Sequence, residues 1–133
     1  MRISDIAINN FRIYRGENRI DFENNTDKNI HLIAGKNGFG KTTFLTSLIW
    51  VLYGKQMSQV EDKYKIDIRH VGGYDKYLES LLNRDLKREF DNKLIEHAEF
   101  FVELKLEDIL IPSIPCKELV IRRSYNYFKK KET

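Results

Sequence analysis

The sequence predicts an α/β fold in which a mixed sheet packs around one central helix, and three observations carry that prediction. The chain opens with period-two alternation: across Met1–Phe11, Ile6 and Ile8 fall on one face and Asp5, Ala7 and Asn9 on the other, as in a half-buried strand. A short apolar stretch, Ile30-His31-Leu32-Ile33-Ala34, runs straight into a glycine-rich loop. Beyond the loop, Phe44, Leu45, Leu48, Ile49 and Leu52 recur at spacings of three and four, the period of a helix.

The remaining elements follow in order. Tyr14–Asn18 has turn chemistry, and Arg19–Phe22 resumes alternation as a hairpin partner for the first strand. Glu23–Asn29 is polar and reads as a loop. The central helix is expected from Lys41 to Tyr53, with Gly54 in the position of a C′ glycine. Lys55–Lys65 shows no period, and Gly72-Gly73 marks a break. Tyr77, Leu78, Leu81, Leu82 and Leu86 then predict one helix over Tyr74–Phe90. Ala98–Leu106 alternates as a strand, Pro112 and Pro115 bracket a turn, and Leu119-Val120-Ile121 with Tyr125 and Tyr127 form a strand pairing back. The order is β-β-β-loop-α-α-β-β within a single unit, residues 1–133, without internal repeats.

Composition sets outer bounds. Of 133 residues, 41% are hydrophobic and 32% charged, a balance that builds a packed core rather than a disordered chain. The longest apolar run, Leu48–Tyr53, falls far short of the roughly 20 residues of a membrane helix, so no membrane partner is expected. Met1-Arg2-Ile3 leads into a strand pattern and not into a signal peptide. The single cysteine, Cys116, has no internal disulfide partner, and cytoplasmic residence (bacterial cytosol or nucleoid) is the natural expectation. The net charge of +3 is compatible with nucleic acid without pointing to it. The one dense run, Lys129-Lys130-Lys131, reads as a solvated tail.

Chemistry concentrates in Gly35-Lys36-Asn37-Gly38-Phe39-Gly40-Lys41-Thr42, which fits G-x-x-x-x-G-K-[ST] without departure, between a predicted strand and a predicted helix. This is a P-loop NTPase signature with a physical reason behind each position. The glycines let successive backbone N–H groups converge on phosphate oxygens. The helix amino end adds unpaired amides and a positive dipole. Lys41, the catalytic candidate, reaches the β- and γ-phosphates of ATP, and the Thr42 hydroxyl is placed to ligate Mg²⁺. Gly35 to Thr43 (Gly35, Lys36, Asn37, Gly38, Phe39, Gly40, Lys41, Thr42 and Thr43) are the ATP-binding candidates, Lys36 being the one expected to face solvent or a partner subunit. No apolar strand ending in Asp-Glu, the Walker B pattern, follows Thr42. Leu104–Asp108 comes nearest, but it alternates like a half-exposed strand, so Glu107 and Asp108 are weak candidates.

The longer loop form, with Thr43 after Thr42, resembles the ABC-class ATPases that include SMC, RecF and RecN proteins and the coiled-coil break-repair ATPases. Asn10-Phe11-Arg12, ending the first strand, is similar to the N-F-[RK] element of that group, and Phe44–Gly54 to its first helix ending in L-Y-G. Within the group, Tyr74–Arg84 and Ile121–Tyr125 resemble the DndD family of DNA phosphorothioate systems. The resemblance implies the amino-terminal lobe of an ABC/SMC-type head, the Walker A half. A carboxy-terminal ATPase half would bring the Walker B and signature motifs, and full heads would dimerise on ATP. Arg12 would touch the nucleotide. DNA would lie across the head, with Lys65, Arg69, Arg84, Lys87 and Arg88 as candidate contacts. The implied function is ATP binding, with hydrolysis once the head is complete, in phosphorothioate modification or anti-phage defence. The alternatives are a RecF/RecN or break-repair ATPase, or a nucleotide-holding module without turnover. A small-molecule kinase also uses a P-loop, but Asn37 and Asn10-Phe11-Arg12 speak against one.

Overall fold

Alternation along the first strand decides which face of the sheet is covered. The computed structural model describes the backbone of residues 2–22, 37–111 and 114–133, and side chains over 3–22, 42–107 and 118–133. Among these residues run strands β1 (Arg2–Asn9), β2 (Glu17–Asp21), β3 (Glu99–Ile111), β4 (Ile114–Asn126) and β5 (Lys131–Glu132). Helices α1 (Asn37–Tyr53), α2 (Asp62–Val71), α3 (Tyr74–Leu81) and α4 (Arg84–Asp91) lie between β2 and β3, with a 3₁₀ segment at Gly54–Gln59 joining α1 to α2. The strands form one sheet in the order β2-β1-β3-β4-β5, every neighbouring pair antiparallel.

Register follows the hydrophobic pattern, as it must where one face is buried. Ile6 stands opposite Ile20 on one side and Leu104 on the other, and Ile8 opposite Val102. All five are buried, on the face that α1 covers. The opposite face pairs charges instead. Arg19 meets Asp5 at 2.8 Å, Lys105 meets Glu118 at 2.7 Å, and Arg122 meets Glu103 at 3.5 Å while lying over the Phe101 ring.

Three sequence expectations differ in the structure, and one stretch lies outside what is described. The strand expected at Ile30–Ala34, which would make the sheet mixed, lies outside the described residues, as does the loop at Glu23–Asn29; the described sheet is wholly antiparallel. Helix α1 begins at Asn37, four residues before Lys41, because Gly38 and Gly40 take helical backbone despite costing about 1 kcal/mol each relative to Ala. The aperiodic stretch after Gly54 contains the 3₁₀ segment and enters α2, a helix with a single buried residue, Tyr64, and so without an apolar stripe to read. Finally, the helix expected over Tyr74–Phe90 is two. Leu82 is extended and bridges to Phe11, and Asn83 caps α4 by accepting from the Asp85 and Leu86 amides. That capping outweighs continued helical periodicity.

The centre of the core is aromatic. Trp50 of α1 packs on Phe100 (centroids 5.1 Å apart) and Phe11 (6.1 Å), and Phe100 in turn on Phe11 (5.6 Å) and Tyr125 (5.6 Å). Ring pairs at these separations each contribute about 0.5–1.5 kcal/mol beyond their burial.

Candidate functional site

Two ends of α1 and one turn make up the candidate site. At the amino end, the first four N–H groups of a helix have no partner within it, so the Asn37–Gly40 amides are free to meet an anion. The first turn holds no acidic residue. Gly35 and Lys36 lie outside the described residues, and Asn37–Lys41 are described by backbone alone, so the candidate contacts of Lys36, Asn37, Phe39 and Lys41 side chains lie outside what is described. Thr42 is half-buried at this end and Thr43 is buried behind it. An anion fits the helix end, and the Thr42 hydroxyl is the side chain there that could ligate a metal bound beside it. Among the described residues no three His, Cys, Asp or Glu side chains cluster to hold a metal by themselves.

The sheet-facing side of α1 is unexpected. Thr43, Thr46, Ser47, Trp50 and Val51 are buried, whereas Leu45 and Leu52, which the spacing marks as core, and Tyr53 beside them are between 39% and 48% exposed. An α-helix apolar all round is normally covered all round.

Asn10-Phe11-Arg12 forms a tight turn whose geometry explains each residue. Asn10 and Arg12 both have left-handed backbones (φ 54° and 50°), a conformation costing a non-glycine residue about 1–2 kcal/mol. Asn10 offsets this with its side chain, which accepts from the Gly16 amide (2.8 Å) and donates to the Glu99 carbonyl (3.2 Å). Phe11 is fully buried against Trp50 and Phe100. Arg12 donates its amide to Leu81 (2.7 Å), and its carbonyl accepts from the Asn83 side chain (2.8 Å); the Asn83 amide donates to the Asn10 carbonyl (2.8 Å). The turn is therefore clamped to the joint between α3 and α4.

The Arg12 guanidinium meets no carboxylate among the described residues, and its charge is felt at Tyr77. Burial first, moderated by Arg12, pushes the Tyr77 hydroxyl up to about 12. Phe11 contacts the Trp50 end of α1, about 13 Å along the axis from Lys41 at 1.5 Å per residue. Arg12 is thus brought beside Tyr77 of α3, and the phosphate-binding side chains it would join lie outside what is described.

The carboxyl end of α1 is closed by residues the sequence reading passed over. Arg123 of β4 donates to the Val51 carbonyl (3.4 Å), a cation at the negative end of the helix dipole. Gly54, in the left-handed region at φ 57°, leaves room for it: a Cβ there would sit 2.6 Å from the guanidinium. The Trp50 indole donates to Glu132 (3.1 Å), and the Tyr74 hydroxyl donates to the same carboxylate. Burial, then that hydrogen bond, raises the Tyr74 hydroxyl well above its ordinary range. No sequence signal links Trp50 to Glu132. Asn83, by contrast, was readable, because Asn before Arg-Asp-Leu-Lys is an N-cap pattern.

The candidate DNA contacts separate into two groups. Lys65 and Arg69 lie exposed on α2, while Arg84, Lys87 and Arg88 lie on α4. The lysine run is not simply a solvated tail: Lys130 sits 3.3 Å over the Tyr127 ring and 2.9 Å from a Glu79 oxygen. Glu107 alternates with buried Leu106 and so lies on the sheet face away from α1. The Asp108 side chain lies outside the described residues. No described helix is long and apolar enough to cross a membrane.

Comparison with known proteins adds a family. A family model described as AAA domain matches residues 5–132. Arcadin-4 of Pyrobaculum calidifontis is similar over 75 residues at 32% identity, covering 56% of this chain and 9% of that protein. No solved structure matches. Both similarities support an SMC-like P-loop ATPase, and neither supports the narrower resemblance to DndD.

Proposed function

The chain belongs to the AAA domain family, a nucleotide-binding ATPase domain, and we propose that it is the ATP-binding lobe of a DNA-associated head completed by a carboxy-terminal half. The observation that carries this reading is the overlap of motif and structure: Gly35–Thr42 runs through the amino end of α1, which begins at Asn37 and whose first amides have no partner within the helix. The triphosphate lies over that end, Lys41 meets the β- and γ-phosphates, and Thr42 holds Mg²⁺, which neutralises phosphate charge when bound.

The exposed side of α1 supports the second half of the reading. Leu45, Leu52 and Tyr53 form an apolar face that a carboxy-terminal half would cover. The chain spans about a tenth of the length of Arcadin-4, leaving ample room for such a half in a relative of that size. Heads so completed would dimerise on ATP, and Lys65, Arg69, Arg84, Lys87 and Arg88 would face DNA. A role in phosphorothioate modification or in repair remains a finer proposal within this one.

Two measurements test it. Mg-ATP affinity should fall about tenfold or more, roughly 1.4 kcal/mol, in Lys41→Ala; unchanged affinity would remove the phosphate assignment. Steady-state hydrolysis by residues 1–133 should be near background, because a cradled nucleotide without an oriented water gains little. Adding a carboxy-terminal half in trans should raise it by orders of magnitude. Robust turnover by 1–133 alone, lost in Lys41→Ala, would mean a catalytic carboxylate lies within this chain, with Glu107 and Asp108 the first to replace. The role of Arg12 is tested alongside: nucleotide contact predicts weaker ATP binding in Arg12→Ala, and unaltered binding would confine Arg12 to structure.

A further inference from the structure

Helix α4 and the turn between β4 and β5 are far apart in sequence but form one surface. Phe90 packs edge-on to Tyr127 (5.2 Å) and to Phe128 (6.2 Å), the Tyr127 hydroxyl donates to Asp91 (3.1 Å), and Lys87 lies 5.9 Å from the centre of the Tyr127 ring. Helical spacing places Arg84, Lys87, Arg88 and Asp91 along one stripe of α4, of which Lys87 and Asp91 meet Tyr127 of the turn. Asp85 and Glu89 share a different stripe, and Glu89 is held by Arg15 at 2.9 Å. Glu79 is held by Lys130. Among the described residues this leaves Arg84, Arg88, Lys129 and Lys131, all exposed, without a carboxylate partner.

Two features of this surface are not explained by solvation of charge. Phe128 is 64% exposed, a large ring fixed from behind by Phe90 and open in front. Asn126, two residues before Phe128, lines a half-open cavity of about 260 Å³ at the ends of β1, β3 and β4, together with Asn9, Leu86, His97 and Glu99 among others. Asn126 uses its side-chain oxygen to accept from the Lys129 amide (3.0 Å), which ties the cavity wall to the basic turn.

We propose that this surface binds single-stranded nucleic acid. The phosphates lie on Arg84, Arg88, Lys129 and Lys131, one base stacks on Phe128, and a neighbouring base enters the polar cavity. Ring stacking combined with a cationic track is how unpaired strands are held without strong sequence preference. A duplex keeps its bases inside its own stack, so it can use the cations but neither the ring nor the cavity. The inference sharpens the DNA-facing part of the proposed function and rests on it, but not on ATP binding.

The test is fluorescence anisotropy of labelled oligo-dT, its RNA counterpart and a duplex, with the full 133-residue chain and no nucleotide. Lys129→Glu with Lys131→Glu should weaken single-strand binding about tenfold or more and flatten its salt dependence. Phe128→Ala should weaken it about tenfold with the salt dependence unchanged. Lys129 and Lys131 are exposed, so the double variant should melt like the parent chain, while Phe128→Ala loses the Phe90 ring contact and should stay folded with a slightly lower midpoint. The proposal is overturned if oligo-dT and the RNA strand bind these variants as they bind the parent, or if duplex binds as tightly as single strand and Phe128→Ala has no effect. Loss confined to Lys65→Glu with Arg69→Glu would move the nucleic acid to α2, keeping the DNA-facing reading and removing this site. No binding of any strand or duplex by the parent chain would remove both.

Discussion

Asn83 shows how much one residue can hold. Its side-chain oxygen caps α4 and its amide nitrogen fixes the Arg12 carbonyl, while the residue itself is buried. Asn83→Ala should destabilise the chain by about 2 kcal/mol, about 1 for the cap and about 1 for the hydrogen bond, measured by denaturant unfolding. Asn83→Ser should keep the cap and lose about half as much. Tyr77 behaves oppositely. Its hydroxyl is buried and meets no hydrogen-bond partner among the described residues, so Tyr77→Phe should be neutral or stabilise by up to about 1 kcal/mol. The P-loop signature was legible as residue types at a spacing, but the Asn10-Phe11-Arg12 turn was not: alternation was read through Phe11 and the turn placed at Tyr14–Asn18, whereas β1 ends at Asn9. Why Asn10 must be asparagine was not legible, since its partners Gly16 and Glu99 are set by the fold.

Among the elements, α1 is where reading the sequence did most and least. Its existence follows from periodicity, but its orientation does not. Spacing marks Leu45 and Leu52 as core, and the structure turns Thr46, Ser47 and Trp50 to the sheet instead. A helix with apolar residues on every side carries no sequence information about which side meets this sheet. Glycines in the first turn have a further effect: the Asn37–Gly40 amides should exchange with solvent fastest in α1 and become protected on adding Mg-ATP, as read by hydrogen–deuterium exchange. Equal exchange along the whole helix, with and without nucleotide, would contradict this. The split between α3 and α4 was missed for a different reason. Leu78, Leu81, Leu82 and Leu86 stay in helical register across the break, so only the cap at Asn83 betrays it.

For the molecule as a whole, buried tyrosines set the alkaline limit. Burial raises Tyr77 and Tyr125 to about 12 and, with help from Glu132, raises Tyr74 further. In the unfolded chain these phenols ionise near 10, so between that pH and the folded values the unfolded state releases protons first. Stability is therefore complete below about pH 10 and falls as pH rises beyond it, by on the order of 2 kcal/mol for each of Tyr77 and Tyr125 by pH about 12. Denaturant midpoints followed with phenolate absorbance check this; a flat profile to pH about 12 would contradict it.

The pairing of β1 with β3 has a consequence for how the chain reaches this structure. Ile8 lies beside Val102, and Ile6 beside Leu104, so the central strand pair joins residues about three-quarters of the chain length apart, whereas β3 and β4 are neighbours in sequence. Closing so long a loop comes late, after the local hairpin has formed. On a ribosome, β1 waits with the edge that pairs β3 unpaired until Glu99–Ile111 emerges, an exposed edge of the kind that invites wrong pairing. In refolding experiments, Ile121→Val should slow folding while Ile8→Val mainly speeds unfolding. Strand β1 would then be made well before β3 and yet find its place in the sheet only after it.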